Sequence, residues 1–280
     1  MNFNYEKYKM IVFDLDGTLL NNEHKITPLT FNVLLRLSKD FRIIIATGRR
    51  LDEVRDVVNQ FKEIDIEKSY MITANGAEVF LENNLILRYK IEYDLVREIL
   101  KIRRGEIDVN LYTLSDWYSD REIRSPIMNY FINYLGLKPV ITDLFSLQVD
   151  SFSKIVYFSQ NLTALEDFGE RIRERNFKDI SIFYSAQDLL EITNVNASKY
   201  NAVKNVALFE CIDLGDILAF GDNGNDYEML KNVGKGILMK NANEFLKTKL
   251  PNNEVTKFSN DGDGVAKFLI EFFDLDICFN

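Results

Sequence analysis

Two aspartates, Asp14 and Asp16, stand two residues apart in the stretch M-I-V-F-D-L-D-G-T-L-L, residues 10 to 20. If the chain stays extended through Leu15, both carboxylates project the same way and repel. Such a pair is stable when a cation lies between the acids or when one of them keeps its proton. With a divalent metal it suits phosphate chemistry: the metal neutralises nucleophile and substrate, one carboxylate attacks, and the other moves protons. A lone D-x-D is more often a solvated turn. Here it follows the apolar run Met10 to Phe13 and precedes Gly17-Thr18, the pattern of a buried parallel strand entering a loop. That strand edge is where open α/β sheets bind ligands.

Other chemistries are narrowed by what the chain lacks. His24 is the single histidine, set in the polar stretch N-N-E-H-K and expected to be solvated. Metal binding therefore falls to carboxylate oxygens, which favours magnesium over zinc. Cys211 and Cys278 lack metal spacing and read as reduced thiols. Ile217 stands where a tyrosine-phosphatase-type cysteine loop would need arginine, and no G-x-x-x-x-G-K-[ST] occurs. With 34 basic and 43 acidic residues, the net charge of -9 disfavours nonspecific nucleic-acid or anionic-membrane binding. No apolar run reaches membrane-spanning length, and the amino-terminal residues lack a signal peptide's apolar core, so a cytoplasmic location is expected.

The elements that must position these residues follow in order. Thr27-Pro28 caps a helix ending near Asp40. Arg42 to Ala46 is a second buried strand, delivering Thr47, Gly48 and Arg49 ahead of a helix from about Leu51 to Phe61. A hydroxyl beside open helical N–H groups suits a phosphate oxygen, and an N-cap threonine is the structural alternative. Tyr70 to Ala74 is a third strand, followed by a hairpin around Glu82-Asn83-Asn84. Three βα-like repeats predict a Rossmann-like, doubly wound parallel sheet of the α/β class. From residue 85 to 188 helical and strand patterns mix without a comparable loop, which predicts an inserted α+β cap domain between core segments 1–84 and 189–280. Within it, Trp117, Tyr118, Arg121, Arg124 and Lys154 are read as packing and surface residues, with substrate contact the alternative. Leu189 to Thr193 is read as a strand returning to the core. Lys199 opens a helix against the macrodipole, a placement an anion would rationalise. Asp216 to Phe220 is another buried strand, leading into G-D-N-G-N-D at 221 to 226, whose order does not fit an EF-hand. A strand near Gly236 to Met239, a helix around Ala242 to Leu250 and one from Val265 to Phe273 close the chain.

Four ordered elements thus stand out: D-L-D-G-T-L-L, A-T-G-R at 46 to 49, Lys199, and G-D-N-G-N-D. In this order they resemble the haloacid dehalogenase superfamily, specifically its Cof-type phosphatases, which carry a large α/β cap between the second and third motifs. I-T-A-N-G-A at 72 to 77 and S-N-D-G-D-G-V-A at 259 to 266 resemble that subfamily too. The resemblance implies Asp14 as nucleophile and Asp16 as general acid and base. It implies Mg²⁺ on the Asp14 carboxylate, the Asp16 backbone carbonyl and Asp222, helped by Asn223. Thr47, the Leu15 and Gly48 backbone N–H groups, Lys199 and Asn225 would hold the phosphoryl oxygens, and Asp226 would orient Lys199 or the metal shell. Long-lived phosphoenzymes such as the P-type pumps carry lysine and threonine where this chain has Leu15 and Asp16, which favours hydrolysis. Asn196-Ala197-Ser198-Lys199-Tyr200 and Lys240 depart from the family by lacking its usual glycines. The expected function is Mg-dependent hydrolysis of small phosphorylated metabolites, sugar phosphates or phosphorylated cofactors, through an aspartyl-phosphate. A phosphomutase and a silent phospho-ligand sensor are the alternatives.

Overall fold

The computed structural model describes residues 3–54, 57 and 70–276. The chain divides into two compact units: residues 1–49, 54–87 and 198–280 form the first, and 50–53 with 88–197 the second.

The first unit is built on an eight-stranded sheet. Its order runs Glu254–Val255, Lys235–Leu238, Ile217–Gly221, Met10–Phe13, Arg42–Ala46, Tyr70–Thr73, Glu78–Leu81 and Asn84–Arg88. The first six strands are parallel, and the last two form a hairpin added antiparallel to Tyr70–Thr73. Glu82 and Asn83 make the hairpin turn with φ of 50° and 65°, the left-handed pair that a two-residue connection needs. Met10–Phe13 is continuously apolar because both of its faces are covered. Met10 and Val12 pack with Ile44, Ala46 and Ala219 against Ala202, Val203 and Val206 of the helix Lys199–Phe209. On the other face Phe13 stacks on Phe220, whose ring meets the edge of Phe268 in the helix Gly264–Phe273. The chain leaves Met10–Phe13 toward Arg42–Ala46 and later returns on the opposite side to Ile217–Gly221. This reversal of strand order opens a crevice at the carboxyl ends.

The second unit has a six-stranded sheet in the order Ile180–Ala186, Leu189–Asn194, Lys154–Phe158, Asp108–Tyr112, Trp117–Ser119, Val140–Ile141, and a two-stranded one joining Ile91–Glu92 to Ser151–Phe152. Val109, Leu111, Ile155, Tyr157, Leu190 and Ile192 share one apolar cluster with the helices Tyr93–Leu100 and Leu162–Glu174. The alternate residues Tyr112, Trp117 and Val156 pack with Met128 of the helix Pro126–Leu135. This period of two is what a sheet with differently covered faces requires.

Leu189–Asn194 does not return to the first sheet as its sequence suggests. It pairs antiparallel with both Ile180–Ala186 and Lys154–Phe158, so the second unit extends past residue 188 to 197. The two-residue connection Gln187-Asp188 explains this, since so short a link favours pairing with the preceding strand. An apolar run alone does not say which sheet it joins. The helix expected from Leu51 to Phe61 begins as a 3₁₀ turn at Asp52–Val54; apart from Val57, its remainder lies outside the described residues, as does Cys278. Cys211 is a free, exposed thiol. Among the described residues no helix is long and apolar enough to cross a membrane.

The basic and aromatic residues singled out in the second unit have partners within it. Trp117 donates from Nε1 to Asn110 Oδ1 at 2.8 Å and stacks on Tyr112. Arg124 pairs with Asp108, Arg121 with Asp120 and Lys154 with Glu191.

Candidate active site

Three strands of the first unit deliver their following loops to one edge. Asp14 continues the central ladder by one bond, its N–H donating to Phe220 O at 3.1 Å. The chain then folds back tightly, with Leu15 O accepting from the N–H groups of Thr18, Leu19 and Leu20. Gly17 makes this turn at φ 78°, and a Cβ there would overlap the Asp222 carboxylate. Thr18 Oγ1 donates to Asp222 Oδ1 at 3.2 Å, tying the first and last motifs together.

Asp14, Asp222 and Asp226 each offer a carboxylate oxygen within 4.8 Å of the others. Lys199, 1% exposed, donates from Nζ to Asp14 Oδ1 at 2.5 Å and to Asp226 Oδ1 at 2.7 Å. Two of its three hydrogens are thereby used. The lysine is held there by its helix start: Ser198 caps the helix, and Gly76, at φ 90°, approaches the Ser198–Lys199 backbone too closely for any Cβ. Three acids against one lysine leave an excess of negative charge in a buried place. At this separation each like pair repels by roughly 3 to 4 kcal/mol at an effective dielectric of about 20. Burial, then the neighbouring acids, raise the Asp14 pKa well above the ordinary carboxylate range against the pull of Lys199. Burial and Asp226 push Asp222 up to about 6. Burial would lower the Lys199 pKa, but Asp14 and Asp226 outweigh it and raise it. A proton on one of the acids or a cation among them resolves the excess, and the cation leaves all three carboxylates ionised. The donor set, carboxylate oxygens without thiol or imidazole, fits a hard divalent ion.

The geometry separates the roles of the acidic loop. Asp226 Oδ1 is bound to Lys199, while Oδ2 accepts the N–H groups of Asp222 and Asn223 at 3.0 and 3.1 Å. Both oxygens are engaged, so Asp226 fixes the lysine and the loop. Asn223 is exposed, and its Oδ1 accepts from Gly224 N and Asn243 Nδ2. Its side chain caps the loop in this arrangement.

Thr47 is buried beyond the end of Arg42–Ala46, its Oγ1 accepting from Arg49 N at 3.1 Å, as an N-cap hydroxyl would. Its own hydroxyl proton remains available to an acceptor. Asn75, at φ 57°, packs against Gly48, donates its N–H to Thr47 O, and accepts from Asn225 Nδ2 at 2.9 Å. Thr47, Gly48, Asn75 and Asn225 thus form one connected wall. Asn225 Oδ1 is a buried acceptor without a protein partner. The sequence showed A-N-G-A as a motif but gave Asn75 no role; its left-handed backbone beside a glycine is the signal that could have found it.

Asp16, its side chain 42% exposed, meets Arg49 through both oxygens: Arg49 Nε donates to Oδ2 at 2.7 Å and Nη2 to Oδ1. His24 Nδ1 lies 3.3 Å from Asp16 Oδ1 and 3.1 Å from Arg49 Nη2. Partial burial would raise the Asp16 pKa, but its bonds to His24 and Arg49 hold it down to about 2. The His24 side chain, 39% exposed, is therefore partly solvated as expected and also touches Asp16 and Arg49.

Residues 11–269 match the family described as haloacid dehalogenase-like hydrolase. A relative from Haemophilus influenzae that carries a phosphatase name is 34% identical over 274 residues, covering 96% of this chain and 98% of its own. An HMP-PP phosphatase from Escherichia fergusonii is 30% identical over 273 residues, covering 95% and 96%. Among solved structures, a haloacid dehalogenase-like hydrolase from Bacteroides thetaiotaomicron superimposes with a TM-score of 0.83 at 22% identity, over 95% of this chain and all of that one.

Proposed function

Because this chain belongs to the haloacid dehalogenase-like hydrolases and its curated relatives carry phosphatase names, we propose that it is a Mg²⁺-dependent phosphatase of small phosphorylated metabolites. The observation that carries this reading is the buried arrangement of Asp14 beside Lys199, Asp222 and Asp226 at the carboxyl edge of the sheet. Asp14, Asp222 and the Asp16 backbone carbonyl would hold Mg²⁺. Bound there, the ion supplies positive charge that keeps Asp14 ionised and offsets charge on the phosphoryl oxygens.

Asp14 is the nucleophile. Its free carboxylate oxygen forms a bond to phosphorus while the bond to the alcohol oxygen breaks, giving an aspartyl-phosphate. Asp16, once parted from Arg49 and protonated, gives a proton to the departing alkoxide and then takes one from the water that cleaves the aspartyl-phosphate. Thr47 Oγ1, the backbone N–H groups of Leu15 and Gly48, Lys199 Nζ and the Asn225 amide bind the phosphoryl oxygens as charge develops. The name HMP-PP phosphatase on a 30%-identical relative supports a small phosphorylated compound as substrate, in the class of sugar phosphates or phosphorylated cofactors.

The test is phosphate release from a panel of phosphorylated sugars and cofactors, with Mg²⁺ and with chelator, for wild type and Asp14→Asn. The expected outcome is Mg²⁺-dependent release that falls by roughly a thousand-fold or more in the variant. Failure of folded, Mg²⁺-bound wild type to release phosphate from any compound would sink the reading.

A further inference from the structure

The strand Tyr70–Thr73 ends in a turn whose backbone is left-handed at three successive residues, Ala74, Asn75 and Gly76, with φ of 48°, 57° and 90°. Glycine and asparagine enter this region readily and alanine does not, and a buried run of it persists only where the surroundings hold it. The contacts that hold it all reach loops of the site. Ala74 N donates to Arg49 O at 2.8 Å and Asn75 N to Thr47 O at 3.0 Å, which pins the Thr47–Arg49 loop at two points. Gly76 lies against the Ser198–Lys199 backbone, where the helix that carries Lys199 begins. The Asn75 side chain covers Gly48 and accepts from Asn225 Nδ2 at 2.9 Å. One turn without an acid or a base of its own thereby touches every element that delivers a proposed phosphoryl donor, except the Asp14 loop.

The bond to Asn225 reaches furthest. Ile217–Gly221, which leads to Asn225, and Tyr70–Thr73, which leads to Asn75, stand three places apart in the sheet, with Met10–Phe13 and Arg42–Ala46 between them, roughly 14 Å at the usual strand spacing. The two side chains meet across that gap. Asn75 is also the only hydrogen-bond partner of the Asn225 side chain among the described residues, since Asn225 Oδ1 is buried without one. An amide tethered by one bond keeps its direction only while that bond lasts. With one hydrogen of Nδ2 on Asn75 Oδ1, the second is left to a phosphoryl oxygen. We propose that Asn75 is a positioning residue of the phosphoryl site: its side-chain oxygen sets the direction of the Asn225 amide, and its left-handed turn holds the Thr47–Gly48 loop and the start of the Lys199 helix, so that donors from separate strands keep a fixed spacing before substrate arrives. This rests on the phosphatase reading above and deepens it. Asn75 acts through these neighbours and exchanges no proton.

Asn75→Gly removes the side chain while glycine accepts the left-handed backbone and keeps the N–H that bonds to Thr47 O, so the turn should survive it. In Mg²⁺, its kcat/KM for p-nitrophenyl phosphate should fall roughly 10-fold or more. In an Asn225→Ala background, where the tethered amide is already gone, the same substitution should cost less than about 3-fold. A spectroscopic readout separates this from general support of the fold and needs no turnover. The Asn225 side-chain amide is identified by nitrogen–proton NMR as the pair of signals missing from Asn225→Ala. In the wild type that pair should exchange with solvent roughly 10-fold or more slowly than a free asparagine amide, and in Asn75→Gly most of that protection should vanish. If Asn75→Gly does not fold, the wild-type exchange rate decides alone. Unchanged kcat/KM in Asn75→Gly, an equal loss in both backgrounds, or an Asn225 amide that exchanges like a free one in the wild type would overturn the proposal and leave the phosphatase reading standing. A folded wild type that releases phosphate from neither p-nitrophenyl phosphate nor any compound of the panel would sink that reading and the proposal with it.

Discussion

In the first unit one buried lysine, Lys199, faces Asp14, Asp222 and Asp226; in the second, Lys154 and Arg50 lie among Glu191, Glu53 and Asp52, all but Asp52 buried. The second cluster is nearly self-sufficient. Lys154 Nζ is 3.5 Å from Glu191, Arg50 Nη2 is 2.6 Å from Asp52, and Glu53 accepts the Arg50 N–H at 2.8 Å. The Tyr112 ring lies within 5.4 Å of both cations. Burial raises the Glu53 pKa above its ordinary value, and a proton there would bring two cations against two anions. In the first cluster burial raises both Asp14 and Asp222, and in the proposed mechanism a proton on Asp14 would silence the nucleophile. Buried charge by itself does not mark a site; an excess of acids at the carboxyl edge of the sheet, which a divalent cation would balance while leaving every acid ionised, is the stronger sign.

The largest expected effect that separates the two clusters is removal of the central lysine from each. Lys199→Met should reduce kcat by roughly 100- to 1,000-fold if Lys199 is the proposed donor to the phosphoryl oxygens. It should also reduce stability in chelator by about 3 to 5 kcal/mol, as breaking a buried ion pair does. Mg²⁺ should restore part of that loss by taking over the uncompensated acids. Lys154→Met should lose stability of the same order, with no recovery on adding Mg²⁺. Urea denaturation of both variants with Mg²⁺ and with chelator reads this directly, and equal recovery in both would break the comparison.

A smaller effect sharpens it. Mg²⁺ at about 100 times its dissociation constant should stabilise the wild type by about 2.7 kcal/mol if it binds only the folded chain. Asp222→Asn should lose that response and Glu191→Gln should keep it. Thermal melts across a Mg²⁺ titration check both, and a response surviving in Asp222→Asn would move the ion away from the first cluster.

How legible these clusters were in the sequence follows from how each is made. Asp14, Asp16, Thr47 and Asp222 each lie just past an apolar strand, so the local pattern announces them, and the strands Met10–Phe13 and Arg42–Ala46 have the bounds their sequence predicts. Lys199 was visible because a lysine at a helix start opposes the macrodipole. His24, Arg49 and Asn75 carry no such local signal as site residues. Their roles arise from left-handed turns and from contacts with residues distant in sequence, such as Asn75 with Asn225 and Asp263 with Thr27. The cluster of the second unit was invisible for the same reason. Lys154 and Glu191 meet only because Leu189–Asn194 pairs within that sheet, the one strand whose partner the sequence misjudged.

The smallest expected effect lies in pH, and it tests whether the second cluster stands apart from the metal. The folded-state pKa of Glu53 is raised above 4.5, chiefly by burial. The folded chain therefore holds this proton more tightly than the unfolded chain does. Its contribution to stability is full below about 4.5 and is lost as pH rises through the raised folded value. Glu53→Gln keeps an acceptor for the Arg50 N–H but abolishes the titration. The difference in urea midpoint between wild type and variant should therefore shift with pH above 4.5, with a slope of at most about 1.4 kcal/mol per pH unit for one proton. Because the residues around Glu53 have partners of their own, that difference should be the same in chelator and in saturating Mg²⁺. A pH dependence that disappears when Mg²⁺ is added would show the two clusters to be coupled, and the self-sufficiency argued for the second would fail.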